Sequence, residues 1–284
     1  MNHHVPPQTI AAAELIARYD ALLLDALGVL VDGSGPLPGA IDFIETLNRR
    51  GKPYFVLTNS ASQLASTKAA AFRAKGLPIA DDRIISSGML LAPYFRRHGL
   101  AGSRTAVLGP ADAITFVQQA GGEPLPPESA DDAEVVVIAD QKGFPLLEGL
   151  DNVLSIILRR LDRGDPIHLL LCNPDIIYPS GPASFGYTAG ALAKMFDAVL
   201  AQRYPERDVR FTPLGKPHRP IFDEAIRQAG TGNVVMVGDQ PATDILGANR
   251  AGIDSALVQS GLSRSGAPGS GPAPTWLLRS LLPN

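Results

Sequence analysis

The chain has 284 residues, of which 45% are hydrophobic and 19% charged, with a formal net charge of −3 at pH 7. That supplies apolar material for a core in one large domain or, more in keeping with the length, two sharing it, and it excludes a disordered chain. Lys and Arg are scattered along the sequence rather than clustered, which argues against nucleic acid or an acidic membrane as the main partner.

Cys172 is the single cysteine, so no internal disulfide can form, and the chain is compatible with a reducing compartment. It lies in the apolar run 167–172, where a buried inert thiol is expected, and His168 in the same run reads as a satisfied structural side chain. The first residues, with His3 and His4, read as a mobile tail. No basic region precedes a long apolar stretch there, and no run reaches membrane-spanning length. A soluble, cytoplasmic protein is expected.

An amphipathic piece at 11–19 is followed by Leu22-Leu23-Leu24, a short apolar run that stops at Asp25 before a Gly-containing loop. Such a run reads as a buried parallel strand, and in open α/β sheets ligands gather where such strands end. A carboxylate at that place can bind a divalent cation through oxygen, attack an electrophile such as phosphorus, or simply cap the next turn. The turn-rich loop 31–39 leads to a helix with Ile41, Ile44 and Leu47 on one face and Gly51 just past its end. The strand 54–57 then runs into Thr58-Asn59-Ser60. A right-handed βαβ unit places Asp25 and Thr58 on the same edge of the sheet.

A helix over 62–75 closes at Gly76, a short strand follows at 84–85, and a helix over 89–97 ends at Gly99. The apolar runs 105–108, 135–138 and 167–172 alternate with helical stretches near 111–120 and 147–163, and this middle part reads as a smaller α/β module inserted into the first. After a helix at 189–202, Gly215-Lys216-Pro217-His218 leads into another, with Ile221, Phe222, Ala225, Ile226 and Ala229 on its buried side. The strand 234–237 stops at Gly238-Asp239, a helix over 244–250 ends near Gly252, and 255–258 gives a last strand. The Gly-, Pro- and Ser-rich stretch 263–274 reads as a surface linker, after which Trp276, Leu277 and Leu278 dock onto the core.

Asp25, Thr58, Lys216 and the Asp239/Asp244 pair thus fall at places of the same kind. Each alone is explained as a strand cap, a turn former or a surface charge. Together they meet the needs of one reaction. An attacking carboxylate and a phosphoryl group repel each other, so such a site needs a divalent cation on oxygen ligands, donors for the phosphate oxygens and a Lys to spread the charge. Asp25 with Asp239 can hold Mg²⁺, with Asp244 in direct or water-mediated support. Thr58 and the Asn59 amide can hold phosphate, and Lys216 can neutralise both phosphate and nucleophile.

The runs Asp25-Ala26-Leu27-Gly28-Val29-Leu30, Leu57-Thr58-Asn59-Ser60, Gly215-Lys216-Pro217 and Gly238-Asp239 with Thr243-Asp244 resemble the four ordered motifs of the haloacid dehalogenase-like phosphatase superfamily. Their order and spacing are similar to its class IIA capped branch of p-nitrophenyl, sugar-phosphate and pyridoxal-phosphate phosphatases. Asn173-Pro174-Asp175 resembles the cap motif of that branch. The resemblance implies an α/β fold, with a Rossmann-like parallel sheet core at 1–100 and 188–284 and an inserted smaller α/β cap domain at 101–187. It implies Asp25 as nucleophile, with the Leu27 carbonyl and Asp239 as Mg²⁺ ligands beside it and Asp244 supporting the metal. Thr58, Asn59 and Lys216 fall to the phosphate. Asn173 and Asp175 would hydrogen-bond the leaving group and Tyr178 would stack on a ring, although a Pro-containing turn explains the same residues without a ligand. The partners implied are a small phosphorylated substrate and a second copy of the chain, paired through the cap.

One position departs from the pattern. Phosphatases of the family usually carry a second Asp two residues after the nucleophile, which protonates the leaving group and later activates water; here that residue is Leu27. A leucine cannot shuttle a proton, and general acid–base help is worth about 10² to 10⁴ in rate. His218, Asp175 and Tyr178 are the candidate substitutes. The expected protein is a Mg²⁺-dependent phosphohydrolase working through an aspartyl-phosphate, slow or narrow in substrate choice. The first alternative is a catalytically degenerate protein that binds a phosphorylated metabolite. The second is carbon–halogen cleavage, which uses no metal and leaves the Asp239/Asp244 pair unexplained.

Overall fold

Five-residue strands that are buried from end to end form the middle of the larger of two parallel sheets: Ala21–Asp25, Tyr54–Thr58 and Val234–Gly238. Burial on both faces is why each reads as an unbroken apolar run rather than an alternation. The computed structural model describes residues 7–181, 184–259 and 272–282. The His3/His4 tail and most of the expected linker, 263–271, lie outside the described residues.

Two compact units share the chain. The first takes the residues up to Thr58, Ala65–Ile85 and everything from Lys216 on; the second takes Asn59–Leu64 and Ser86–Gly215. The expected segments, 1–100 with 188–284 and 101–187, draw the lines elsewhere. Gly122 sits so close to Phe95 that a Cβ there would come within 2.7 Å of the ring, which ties the Leu91–His98 helix to the second unit. Leu192, Phe196 and Leu200 of the Ala189–Arg203 helix are likewise buried with Val136, Ile138 and Leu169.

In the first unit the strand order is Gln8–Ile10, Trp276–Leu278, Asp254–Val258, Val234–Gly238, Ala21–Asp25, Tyr54–Thr58 and Ile84–Ser86. The pairs from Gln8–Ile10 through Tyr54–Thr58 are parallel. Asp25 lies opposite Leu57, and Val237 opposite Leu24. Asp25, Thr58 and Gly238 therefore end their strands along one edge, where the α/β rule puts chemistry. The Ala40–Arg49 helix buries Phe43, Ile44 and Leu47, with Ile41 only partly covered.

Three helices differ from expectation at their starts. Ala65–Ala74 begins late because the Leu64 N–H donates to Asp112 Oδ2 at 2.8 Å, which holds residue 64 outside the helix. A tight turn at Ser87–Leu90 precedes Leu91–His98, and a widened turn at Pro241–Ile245 precedes Leu246–Ala251. Trp276–Leu278 does more than dock: it is a strand inserted between Gln8–Ile10 and Asp254–Val258. Its indole N–H donates to the Tyr19 hydroxyl at 2.7 Å, which in turn donates to Asp254 at 2.6 Å.

The second unit holds a five-stranded sheet in the order Thr212–Pro213, His168–Leu171, Val135–Ile138, Arg104–Leu108 and Glu123–Leu125, parallel throughout. Pro213 and Pro124 are confined to the two edge strands, where a missing N–H costs no ladder bond. Ile177–Gly181 and Ser184–Tyr187 form a separate antiparallel pair. Cys172 is buried, and burial pushes its thiol up to about 12, so it is inert as expected. Partial burial, aided by nearby His98, holds the His168 imidazole below its usual value, with the Tyr94 hydroxyl 3.2 Å from Nδ1. Among the described residues no helix is long and apolar enough to cross a membrane.

Candidate active site

Two strand ends and the turn after the second bring three carboxylates together. Asp25 closes Ala21–Asp25, Asp239 follows Val234–Gly238, and Asp244 stands in the turn Pro241–Ile245. All three are buried, and each offers an oxygen within 4.8 Å of the others. Lys216 is buried among them, its Nζ donating to Asp25 Oδ1 at 2.6 Å and to Asp244 Oδ1 at 2.8 Å. Positions separated by most of the chain's length thus converge on one cluster.

The electrostatics follow from the burial. Desolvation, opposed by Lys216 and aided by Asp244 and Asp239, pushes the Asp25 carboxyl up to about 8. Desolvation also works against the Lys216 ammonium, but the Asp244 and Asp25 carboxylates outweigh it and hold its pKa above the ordinary lysine value. Three carboxylates around one ammonium carry a formal charge of −2 when all are ionised. A set of hard carboxylate oxygens with excess negative charge fits a small divalent cation such as Mg²⁺.

Two glycines make the approach possible. At Gly238 a Cβ would fall 2.3 Å from the Asp244 Cβ, so any larger residue would push that carboxylate out of place. The Asp244 Oδ2 is further fixed by the Gln240 N–H at 3.1 Å. At Gly28, φ is +94°, and a Cβ would lie 2.3 Å from Asp239 Oδ2. The chain after Leu27 therefore runs directly against the Asp239 carboxylate. Gly28→Ala is expected to lower stability by about 1–3 kcal/mol from the strained φ alone. A urea denaturation midpoint unchanged from wild type would contradict that.

The remaining sequence-derived residues fall in both units. Thr58 is buried at the end of its strand, and Asn59, also buried, begins the second unit. Leu27 is 36% exposed. His218 is the residue before the Arg219–Ala229 helix. Within the second unit, Asn59 Nδ2 donates to Asp175 Oδ1 at 3.1 Å, and Asn173 Oδ1 accepts the Asp175 N–H at 3.0 Å. Tyr178 lies across from Gly186, and a Cβ on that glycine would come within 2.5 Å of its ring. The ring thus covers its own hairpin. Ser87 was missed from sequence: its buried Oγ donates to the Asn59 carbonyl at 2.7 Å. It follows the Ile84–Ser86 strand, so reading the polar residue after every strand end would have found it.

Residues 22–123 match the family model for haloacid dehalogenase-like hydrolases, and residues 213–283 match a second, HAD-hydrolase-like model. The chain is 30% identical over 269 residues to glycerol-3-phosphate phosphatase of Gallus gallus, covering 89% of this chain and 83% of that protein. It belongs to the haloacid dehalogenase-like hydrolases. Dihydroxyacetone phosphatase of Corynebacterium glutamicum is 26% identical over 245 residues, covering 85% of this chain and 81% of that one. A solved structure from Cytophaga hutchinsonii, described as a possible sugar phosphatase of this superfamily, superposes with a TM-score of 0.84 at 28% identity. That match covers 98% of this chain and 99% of the other. In this haloacid dehalogenase-like hydrolase, one matched stretch carries Asp25 and Thr58 and the other carries Lys216, Asp239 and Asp244.

Proposed function

We propose that the chain is a Mg²⁺-dependent phosphohydrolase of a small phosphorylated metabolite, working through a phosphorylated Asp25. The observation that carries this reading is the buried cluster of Asp25, Asp239 and Asp244 around Lys216 at one sheet edge. The relatives named glycerol-3-phosphate phosphatase and dihydroxyacetone phosphatase support a short polyol or sugar phosphate as substrate.

Asp25 attacks phosphorus, the bond from phosphorus to the substrate oxygen breaks, and the leaving alkoxide takes a proton. Water then attacks the acyl-phosphate, releasing phosphate and restoring the carboxylate. Thr58 and the Asn59 amide hold phosphate oxygens, and the Lys216 ammonium spreads charge from both phosphate and carboxylate. Mg²⁺, when held by Asp25, Asp239, the Leu27 carbonyl and, directly or through water, Asp244, would offset the phosphoryl charge that otherwise repels the nucleophile. Leu27 holds and moves no proton, so both protonation of the leaving group and activation of water go without help from that position.

A screen of phosphorylated metabolites with and without Mg²⁺ tests the reading. Phosphate release that EDTA stops and added Mg²⁺ restores is expected. Phosphate release of the same size in EDTA would overturn the metal assignment. The exposed aliphatic Leu27 favours a second reading, a phosphometabolite-binding protein without turnover. Tight metabolite binding with no phosphate release from any member of the screen would select it.

A further inference from the structure

Asp175 is named above both as a substrate contact and as a substitute proton shuttle. Its surroundings favour neither. The backbone around it is held at three points: its N–H donates to Asn173 Oδ1, and its carbonyl accepts from Thr188 Oγ1 and from the Gly190 N–H at 3.1 Å. Gly190, in the first turn of the Ala189–Arg203 helix, lies so close that a Cβ would come within 2.3 Å of the Pro174 and Asp175 carbonyl oxygens. A side chain mounted this way is presented at a fixed angle.

Its carboxylate points at Asn59, accepting from Nδ2 at 3.1 Å. Because an ionised carboxylate only accepts, this bond also fixes which way the Asn59 amide is turned. The other end of that amide is equally confined: at Gly215 a Cβ would fall 2.5 Å from Asn59 Oδ1, 2.7 Å from the Cys172 carbonyl oxygen and 2.9 Å from Pro174 Cδ. Ser87 Oγ holds the Asn59 carbonyl at 2.7 Å. Asn59 follows Thr58, and Gly215 precedes Lys216. Within the second unit, Asn59 and Gly215 are therefore held against one another and against the 173–175 turn.

We infer that Asp175 is a positioning residue: it sets the Asn59 side chain and, with it, the Asn59 amide that holds a phosphate oxygen. The inference rests on the phosphohydrolase reading for its catalytic consequence. What Asp175 supplies is a hydrogen-bond acceptor, not a proton and not a charge. An amide oxygen can take its place.

The test compares Asp175→Ala with Asp175→Asn, in kcat/KM for p-nitrophenyl phosphate and in the Kd for orthophosphate with Mg²⁺ present. Misplacement of a binding group by a fraction of an ångström to one ångström costs up to about 10². Asp175→Ala is expected to lower kcat/KM by about 10- to 100-fold and to weaken orthophosphate binding in the same direction. Asp175→Asn should recover most of both losses and keep both limbs of the wild-type pH–rate profile. Asp175→Asn as impaired as Asp175→Ala, or lacking one limb, would overturn the inference in favour of a charge or proton-transfer role. If Asp175→Ala fails to fold, Ser87→Ala takes its place, with a loss of about three- to tenfold expected; no loss there would also overturn it. A wild-type protein that binds orthophosphate with this Ala/Asn pattern but releases no phosphate from substrates would sink the hydrolase reading and leave the positioning role standing.

Discussion

Asp25→Asn is expected to lower turnover by on the order of 10⁴ to 10⁶, the scale of losing a covalent nucleophile, while leaving phosphate affinity intact or improved. The physical reason is that the substitution removes one reaction and little else. An asparagine keeps an oxygen that can accept from Lys216 Nζ, where Asp25 Oδ1 now accepts at 2.6 Å. It also removes one of three carboxylates from a buried cluster in which desolvation, and after it the charges of Asp244 and Asp239, raise the Asp25 carboxyl. An incoming phosphate dianion then meets less negative charge. Turnover and orthophosphate binding, measured on a variant whose denaturation curve matches wild type, check both halves. Retained turnover would remove Asp25 from the nucleophile role.

Leu27→Asp is expected to raise steady-state turnover by about 10² to 10⁴, the worth of general acid–base catalysis. Because Leu27 is more than one-third exposed, an aspartate there can be solvated and does not bring a buried charge. The gain should depend on the leaving group. A nitrophenolate departs without a proton, so in the native protein only the second step, hydrolysis of the acyl-phosphate, would suffer from Leu27. An alkoxide such as glycerolate needs the proton, so both steps suffer. Wild-type protein should therefore show a rapid burst of about one nitrophenolate per site followed by slow release, and Leu27→Asp should abolish the burst. No gain in a folded Leu27→Asp variant would mean that another group already moves the proton.

What the sequence disclosed, and what it hid, follows from how each element is built. Fully buried parallel strands leave unbroken apolar runs, so 22–24, 54–57 and 234–237 were legible, and their polar ends pointed to Asp25, Thr58 and Asp239. The strands Gln8–Ile10, Glu123–Leu125 and Trp276–Leu278 are three residues long, too short for any period to show. The hairpin of Ile177–Gly181 and Ser184–Tyr187 is rich in Pro, Gly and Ser and leaves Ile177, Phe185 and Tyr187 exposed, so neither composition nor burial pattern announced it. Lys216 was placed by its company in a motif, but that it bridges Asp25 and Asp244 is a fact of three dimensions. Helix starts were missed where a tertiary bond, such as that from Leu64 to Asp112, overrides local propensity. Ser87 carries no motif, and only its place after the Ile84–Ser86 strand and its bond to the Asn59 carbonyl mark it.

The most direct measurement is chemical capture of the phosphorylated residue during the burst. Wild-type protein mixed with p-nitrophenyl phosphate and Mg²⁺ is quenched in acid within the burst, reduced with borohydride and digested for peptide mass spectrometry. Reduction of an acyl-phosphate turns the aspartate into homoserine, and that conversion is expected at residue 25, in an amount that follows the nitrophenolate burst. Nitrophenolate release with residue 25 recovered only as aspartate would contradict it.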